Sequence, residues 1–199
     1  DDIALKILKD VGEELKIATT TDIHSVNEVE KAAKCVDIIQ IPAFLCRQSE
    51  LIQAAAKTGK HVNIKKGQFL SAQSMQFAAE KIKDSGNTNI ILTERGTMFG
   101  YNDLVVDYRS IPIMKSYGYP VVLDVTHSLQ EPNNLSGLTG GKPKLIETIA
   151  KAGVAIGIDG IFLETHFSPN DSKSDSKNML DLKSLEDLLI KLLRIRKSI

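Results

Sequence analysis

Short runs of nearly continuous apolar residues alternate with amphipathic stretches along this chain. Runs of this kind predict parallel strands, because a parallel strand that is covered on both faces needs apolar residues at almost every position. Such strands normally lie in a sheet whose connections are helices. The six predicted strands are "KIATT" (16–20), "VDIIQIP" (36–42), "HVNIK" (61–65), "NIILTE" (89–94), "PVVLDVTH" (120–127) and "GIFLETH" (160–166).

The stretches between these runs place apolar residues at helical spacing, and several of them end on glycine, as helices commonly do. A further amphipathic helix is predicted at 1–16 and another at roughly 181–196. Alternating strands and helices indicate an α/β fold with a parallel sheet. Because no linker or shift in composition divides the chain, we expect a single domain over residues 1–199. The predicted connecting helices lie in "SVNEVEKAAK", "QSELIQAAAKTG", "SAQSMQFAAEKIKDSG", "DYRSIPIMKSYG" and "KPKLIETIAKAGVAIG".

The ends of the predicted strands favour a closed barrel over an open sheet. Neither a G-x-G-x-x-G segment after the first strand nor a G-x-x-x-x-G-K-[ST] segment occurs in the sequence. Polar residues suited to catalysis or binding instead lie at the C-terminal end of every predicted strand. A (β/α)8 TIM barrel places its active site at these strand ends. Such barrels typically need about 250 residues. We therefore expect a (β/α)8 barrel whose first two strands are absent from these residues.

Composition narrows the choice of partners. The 199 residues are 42% hydrophobic and 25% charged, with a net charge of zero, which is ordinary for a globular protein. Balanced charge gives no reason to expect nucleic acid or a membrane surface as a partner. The two cysteines form no C-x-x-C pair, and a cytoplasmic location is the simplest interpretation.

Two groups of side chains at the strand ends suggest chemistry. His127, Glu164 and Asp175 carry imidazole and carboxylate donors, which suit Zn²⁺, Fe²⁺, Mn²⁺ or Co²⁺ better than Ca²⁺. Each of these three residues is also compatible with a purely structural role at a strand end, without a metal. Cationic residues end two neighbouring strands and predict an anion site, because lysine and arginine both bind phosphate or carboxylate. These cations are Lys65, Lys66 and Arg95.

Three other polar residues remain open between a functional and a local role. Asp22, His24 and Asp124 are able to orient hydroxyl groups or accept protons. His24 also stands beside Ser25, which is a candidate helix N-cap with Glu28 three residues further on.

Six motifs that follow one another in register cover nearly the whole chain: "TTDIHS", "QIPAFLCRQ", "VNIKKGQF", "GNTNIILTERGTMFGYNDLVVDYRSIP", "VVLDVTHSLQ" and "DGIFLETHFSP…SD". Taken together, they resemble the family of 3-deoxy-D-manno-octulosonate 8-phosphate (KDO8P) synthases. The related DAHP synthases resemble this chain at "ERG" and "E-x-H…SD", but they usually carry a "GARN"-like segment where this chain has "QIPAFLCRQ". That difference favours the eight-carbon product.

The resemblance implies a transferase that is a homotetrameric TIM barrel. Phosphoenolpyruvate would condense with D-arabinose 5-phosphate and water, in an aldehyde-lyase-like aldol reaction that serves lipopolysaccharide biosynthesis. No organic cofactor is implied. One divalent metal is implied for some members, and the residue that separates metal-dependent from metal-independent members precedes this sequence. The segment "SDSKNML" is closer to that of the metal-dependent members.

Roles for individual residues follow from matching positions. The resemblance implies catalytic roles for Lys65, Asp22 and His127, and it implies metal ligation by His127, Glu164 and Asp175. Phe44 and Arg47 match a segment at a subunit interface that reaches the neighbouring site. The implied substrate-binding residues are Lys65, Arg95, Ala43, Gln68, Gln40, Phe44 and Arg47.

Three alternative functions are weighed beside the leading one. A DAHP synthase would use erythrose 4-phosphate in place of the five-carbon sugar. An inactive barrel would serve only as a binding module. A metal-dependent hydrolase on the same fold would not explain the pair Lys65 and Arg95 so directly. For any of the enzymes, the glycine-rich loop at 131–142 is predicted to be a mobile lid.

Overall fold

The computed structural model describes residues 2–98, 103–132 and 139–199 as an α/β protein with parallel strands. The chain forms two compact units. The first unit consists of Asp1–Gly67 and Gln73–Leu92, and the second consists of Gln68–Ala72 and Thr93–Ile199. Within the described residues, no helix has both the length and the apolar composition that a membrane crossing requires.

Strands and helices alternate regularly in the first unit. The three strands β1, β2 and β3 are parallel and adjacent in that order. The helices are α1 (Asp2–Leu15), α2 (Val26–Ala33), α3 (Ser49–Lys57) and α4 (Met75–Asp84), and the strands are β1 (Thr20–Asp22), β2 (Ile38–Ile41) and β3 (His61–Lys65). A fourth strand, β4 (Ile90–Glu94), begins in this unit and ends in the second.

The core of the first unit lies where β2 and β3 meet the helices. Ile39, Ile41, Val62 and Ile64 are fully buried, and each contributes about 1.5 to 3 kcal/mol by leaving water. The polar residues between them, Gln40 and Asn63, are buried too, as expected for parallel strands that are covered on both faces. Helix α3 lies between α2 and α4 and adds its small, buried alanines to this core.

The second unit contains one parallel pair of longer strands and three short two-stranded ladders. Strands β7 and β10 are parallel, as are β11 and β12, whereas β5 pairs with β6 and β8 with β9 in antiparallel fashion. The strands are β5 (Thr97–Met98), β6 (Leu104–Val105), β7 (Val121–Asp124), β8 (Gln130–Glu131), β9 (Gly140–Gly141), β10 (Gly160–Phe162), β11 (Thr165–His166) and β12 (Leu180–Asp181). The helices are α5 (Ser110–Lys115), α6 (Ile146–Ala155) and α7 (Leu185–Arg196).

Helix α6 lies close to strand β7 because a glycine faces the sheet. A Cβ atom on Gly153 would stand only 2.4 Å from Cδ2 of Leu123, which is fully buried in β7. Helix α7 packs against α6, and its Leu188 and Leu192 are buried. The absence of a side chain at Gly153 therefore sets the distance between helix and sheet.

All predicted helices are found, but three strands differ from the prediction by three or more residues at one end. The first strand is Thr20–Asp22 rather than 16–20, because Lys16 adopts a left-handed conformation (φ 53°) at the end of α1. The fifth strand ends at Asp124 rather than at 127, since the Asp124 carboxylate accepts hydrogen bonds from the backbone amides of Thr126 and His127. The last strand ends at Phe162, and β11 pairs separately with β12.

The predicted lid at 131–142 falls partly outside the described residues. Its two ends pair with each other, because β8 and β9 bring Glu131 opposite Gly140. Residues 133–138 lie outside the described part of the chain.

Candidate active site

The end of strand β7 orients His127. Asp124 is fully buried, and its Oδ1 accepts hydrogen bonds from the backbone amides of Thr126 (3.1 Å) and His127 (2.8 Å). These bonds turn the chain into the 3-10 helix His127–Leu129. The second oxygen, Oδ2, lies 2.8 Å from His127 Nδ1. Because a carboxylate only accepts, Nδ1 donates this bond, and Nε2 is the ring nitrogen that faces Glu164 and ligates a metal when it carries no proton.

Glu164 is positioned by its own backbone between β10 and β11. Its amide donates to Oγ1 of Thr126 (2.8 Å), and its carbonyl accepts from the amide of Leu180 (3.0 Å). Thr126 is itself fully buried next to His127 in the chain. The two strand ends therefore present His127 and Glu164 side by side.

Asp175 reaches the same place from a loop with unusual backbone geometry. It adopts a left-handed conformation (φ 49°), which is uncommon for a residue that carries a side chain. Its carbonyl accepts from the amide of Asn178 (2.8 Å), and Asn178 Nδ2 donates to the carbonyl of Gly140 (3.2 Å). A Cβ atom on Gly141 would overlap Asn178, so glycine is required where the loop meets β9.

The donor atoms of His127, Glu164 and Asp175 lie within 4.8 Å of one another and fit a divalent transition metal. His127 Nε2 is 3.3 Å from Glu164 Oε1. Two ligands bound to zinc at about 2.0 to 2.1 Å in tetrahedral geometry are about this far apart. All three side chains are half-buried, so a metal ion or a substrate oxygen can reach the cluster from solvent.

Arg95 brings a buried cation next to this cluster in the second unit. It is 5% exposed, and its Nη2 donates to Oε1 of Gln130 at 2.7 Å. Its Nη1 is buried without a hydrogen-bond partner among the described residues. Burial lowers the pKa of the Arg95 guanidinium, while the charges of Asp124, Glu94 and Asp175 act in the opposite direction. A guanidinium with a vacant buried donor is a binding site for an anionic group.

A polar ladder crosses the three strands of the first unit. Asp22, Gln40 and Asn63 occupy matching positions on β1, β2 and β3. Gln40 Nε2 donates to Asp22 Oδ1, and Asn63 Nδ2 donates to Gln40 Oε1 at 2.9 Å. Gln40 and Asn63 are buried, whereas the Asp22 carboxyl group lies at the exposed end. The ladder thus fixes an acceptor at the edge of the sheet.

The remaining candidates in the first unit divide into buried and exposed residues. Lys65 (6% exposed) ends strand β3 and Lys66 (fully buried) follows it, and their burial argues against ordinary solvated lysines. Ala43 is buried at the start of the 3-10 helix Ala43–Leu45. Phe44 is 71% exposed and Arg47 is exposed as well, as a contact segment would be.

Comparison with known proteins decides the family. A sequence model of the DAHP synthetase I family matches residues 1–199. The chain belongs to that family.

Individual members of the family are similar over almost the whole chain. A 2-dehydro-3-deoxyphosphooctonate aldolase of Trichlorobacter lovleyi is 53% identical over 191 residues, which cover 96% of this chain and 70% of the relative. The protein of the same name from Geotalea uraniireducens is 54% identical over 188 residues, covering 94% of this chain and 69% of the relative. The one from Koribacter versatilis is 48% identical over 198 residues, covering 98% and 71%.

The structure brings the three predicted metal ligands together, and it shows contacts at this site from residues that the sequence did not indicate. Gln68 lies in the second unit with Arg95, and its Oε1 is buried without a partner among the described residues. Gln130 and Asn178 were not predicted to take part, although Gln130 stands three residues after His127 in a motif that carried the family resemblance. His24 has a local role, since its amide donates to Glu28 (2.7 Å) at the start of α2.

Proposed function

We propose that this protein is a KDO8P synthase, which joins phosphoenolpyruvate to D-arabinose 5-phosphate for lipopolysaccharide biosynthesis. The observation that carries the proposal is the name shared by relatives that are 48% to 54% identical over nearly the whole chain. That name specifies a phosphooctonate, which is an eight-carbon acid phosphate. It favours the five-carbon acceptor over the four-carbon sugar of a DAHP synthase.

Arg95 supports the binding of phosphoenolpyruvate. The substrate carries a phosphate and a carboxylate, and a buried guanidinium binds either group through charge-assisted hydrogen bonds. The vacant Nη1 donor makes this favourable, because a buried donor without a partner costs about 1 to 3 kcal/mol. In the proposal, Lys65 supplies the second cation, Gln68 an amide contact and Ala43 a backbone contact.

The reaction forms one carbon–carbon bond and releases phosphate. C3 of phosphoenolpyruvate attacks the aldehyde carbon of the sugar, whose oxygen takes up a proton, while water adds at C2 and inorganic phosphate leaves. The protein's contribution is to hold two anionic reactants and a water molecule in register, which raises their effective concentration. The two protons of the water pass to the aldehyde oxygen and to the departing phosphate. In the proposal, Asp22, held by Gln40, accepts hydrogen bonds from the sugar hydroxyl groups and so orients the aldehyde.

His127, Glu164 and Asp175 are proposed to hold a divalent metal. When bound there, the metal would polarise the aldehyde oxygen or lower the pKa of the attacking water. Asp124 keeps the His127 lone pair on Nε2, which is the form of imidazole that ligates. His127 is also the proposed catalytic imidazole, as the family resemblance implies. Requirement for the metal, and its choice among Zn, Fe, Mn and Co, stay predictions.

The barrel architecture, the oligomeric state and the cellular location of the enzyme also remain predictions. We propose that the strands belong to a (β/α)8 barrel in a single domain. We further propose a homotetramer in the cytoplasm, in which Phe44 and Arg47 reach a neighbouring subunit. The high exposure of Phe44 (71%) supports that contact.

An aldehyde-substitution assay on the full-length enzyme tests the proposed function. Phosphate release from phosphoenolpyruvate is measured with arabinose 5-phosphate and, separately, with erythrose 4-phosphate. We expect turnover with the five-carbon sugar and a loss of about 100-fold in kcat/KM for phosphoenolpyruvate in Arg95→Ala, since the charge-assisted hydrogen bond from Nη1, worth about 1.5 to 3 kcal/mol, disappears.

The matched control is Arg109→Ala. Arg109 is exposed and binds only its near neighbour Asp107, so its loss should leave kcat/KM unchanged. Turnover with erythrose 4-phosphate alone would establish a DAHP synthase instead. If no phosphate is released with either sugar, the protein is a binding module.

A further inference from the structure

Gln130 joins the arginine of the anion site to one carboxylate of the metal cluster. Its Oε1 accepts a hydrogen bond from Arg95 Nη2 at 2.7 Å, and its Nε2 donates to Asp175 Oδ1, also at 2.7 Å. Arg95 precedes Gln130 by 35 residues and Asp175 follows it by 45. A single amide therefore spans two groups of opposite charge that are remote in sequence.

The chemistry of the two neighbours determines which way the amide faces. A guanidinium can only donate and a carboxylate can only accept, so the oxygen of Gln130 must face Arg95 and its NH₂ group must face Asp175. If Arg95 were absent, the oxygen of Gln130 would lose its partner at this contact, and the amide would be anchored only by its bond to Asp175. Arg95 thus acts on Asp175 through Gln130.

The backbone around both ends of this bridge holds it in place. Gln130 lies in β8 and pairs with Gly141 in β9. Asn178 ties the loop of Asp175 to the same strand β9 through the carbonyl of Gly140. Asp175 keeps a left-handed backbone conformation, which persists only where the surroundings support it. The bond from Gln130 is the side-chain part of that support.

We propose that Gln130 is a positioning residue that sets the metal affinity of Asp175, with Arg95 fixing the orientation of the Gln130 amide. The roles of Arg95 and Asp175 in this inference rest on the proposed function. Gln130 restrains one oxygen of the Asp175 carboxylate and leaves the lone pairs of the other for a cation. Outer residues of this kind typically change metal affinity by about 10- to 100-fold.

Direct charge effects predict the opposite result for Arg95, which makes the inference testable. Removing a positive charge beside a metal site strengthens cation binding if electrostatics alone operates. Loss of the bridge weakens it, because Asp175 is no longer held by a correctly oriented amide. The sign of the change in metal affinity on losing Arg95 therefore separates positioning from simple repulsion.

The experiment measures Mn²⁺ binding to the full-length protein by calorimetry, without any substrate. Gln130→Met keeps the length of the side chain and loses both hydrogen bonds, and we expect Mn²⁺ to bind at least about 10-fold more weakly. Arg95→Met is expected to bind Mn²⁺ more weakly than wild type. In the double variant, the change at Arg95 should no longer weaken binding, because the bridge is already lost.

A matched control and a second variant separate positioning from folding. Gln76→Met makes the same chemical change on helix α4, where Gln76 is exposed and binds Glu80, and it should leave Mn²⁺ affinity unchanged. Gln130→Asn keeps an amide but is one methylene shorter, so it should weaken binding as Gln130→Met does. Thermal unfolding midpoints are recorded for every variant, and those of Gln130→Asn and wild type should agree closely.

Wild-type affinity in both Gln130 variants, tighter binding in Arg95→Met, or no Mn²⁺ binding by the wild type would each overturn the inference. The proposed function stands or falls separately, on turnover with the two sugars. Turnover with arabinose 5-phosphate beside unchanged Mn²⁺ affinity would reject the bridge and keep the enzyme. Weaker Mn²⁺ binding in the variants, with no turnover of either sugar by the wild type, would keep the bridge and reject the proposed function.

Discussion

Replacing Asp124 by asparagine tests whether one buried carboxylate sets the tautomer of His127. Asp124 accepts two backbone amides through Oδ1 and the imidazole through Oδ2. Asparagine can keep both amide bonds, because its carbonyl oxygen replaces Oδ1. Its NH₂ group would then face His127 Nδ1 and donate to it, which moves the imidazole proton to Nε2. A protonated Nε2 cannot bind a metal.

The size of the effect follows from the bond that is lost. One hydrogen bond to a charged acceptor contributes about 1.5 to 3 kcal/mol, which corresponds to about 10- to 150-fold in affinity. We therefore expect Asp124→Asn to bind Co²⁺ at least about 10-fold more weakly while the fold is retained. The proximity of Nε2 to Glu164, 3.3 Å, places the misdirected proton inside the ligand cluster.

Two measurements on the full-length protein check this expectation. Titration with Co²⁺, followed by its visible absorption, gives the affinity, and nitrogen-15 NMR of the imidazole reports which ring nitrogen carries the proton. Asp159→Asn is the matched control, since Asp159 binds the Val121 amide and Lys115 away from the metal ligands. Wild-type Co²⁺ affinity in Asp124→Asn, with the proton shown to be on Nε2, would refute the reasoning.

Two further predictions concern stability. Gly153→Ala, which usually strengthens a helix, should destabilise the protein by about 1 to 3 kcal/mol in chemical unfolding, because the new methyl group meets Leu123; Leu123→Val should remove most of that cost. Burial raises the pKa of Tyr108 to about 12, and its hydroxyl donates to the carbonyl of Ile149 (3.0 Å). Because the folded pKa exceeds the unfolded value of about 10, this stabilisation is complete below that pH and is lost as the pH rises towards 12. The advantage of wild type over Tyr108→Phe should shrink by about 1 kcal/mol over that range, allowing for partial exposure, and a constant difference would contradict this.

Periodicity along the chain was enough to predict the α/β class and the helices, since apolar spacing reflects how each local segment is buried. It placed β3 at its observed bounds, 61–65. It placed the first strand too early, because the left-handed turn at Lys16 leaves no mark in the apolar pattern. The ends of β7 and β10 were also missed, where polar side chains redirect the backbone.

The candidate site divides in the same way. The residues at the ends of strands revealed which donors exist, and His127, Glu164 and Asp175 do lie together. The sequence alone determined the kinds of chemical group at this site and the family to which the motifs point. Tertiary structure decided how those groups are held: Asp124 on the imidazole, Asn178 on the Asp175 loop, and Gln130 between Arg95 and Asp175. The physical reason is that hydrogen bonds between residues tens of positions apart depend on how the strands pack, which no local pattern records.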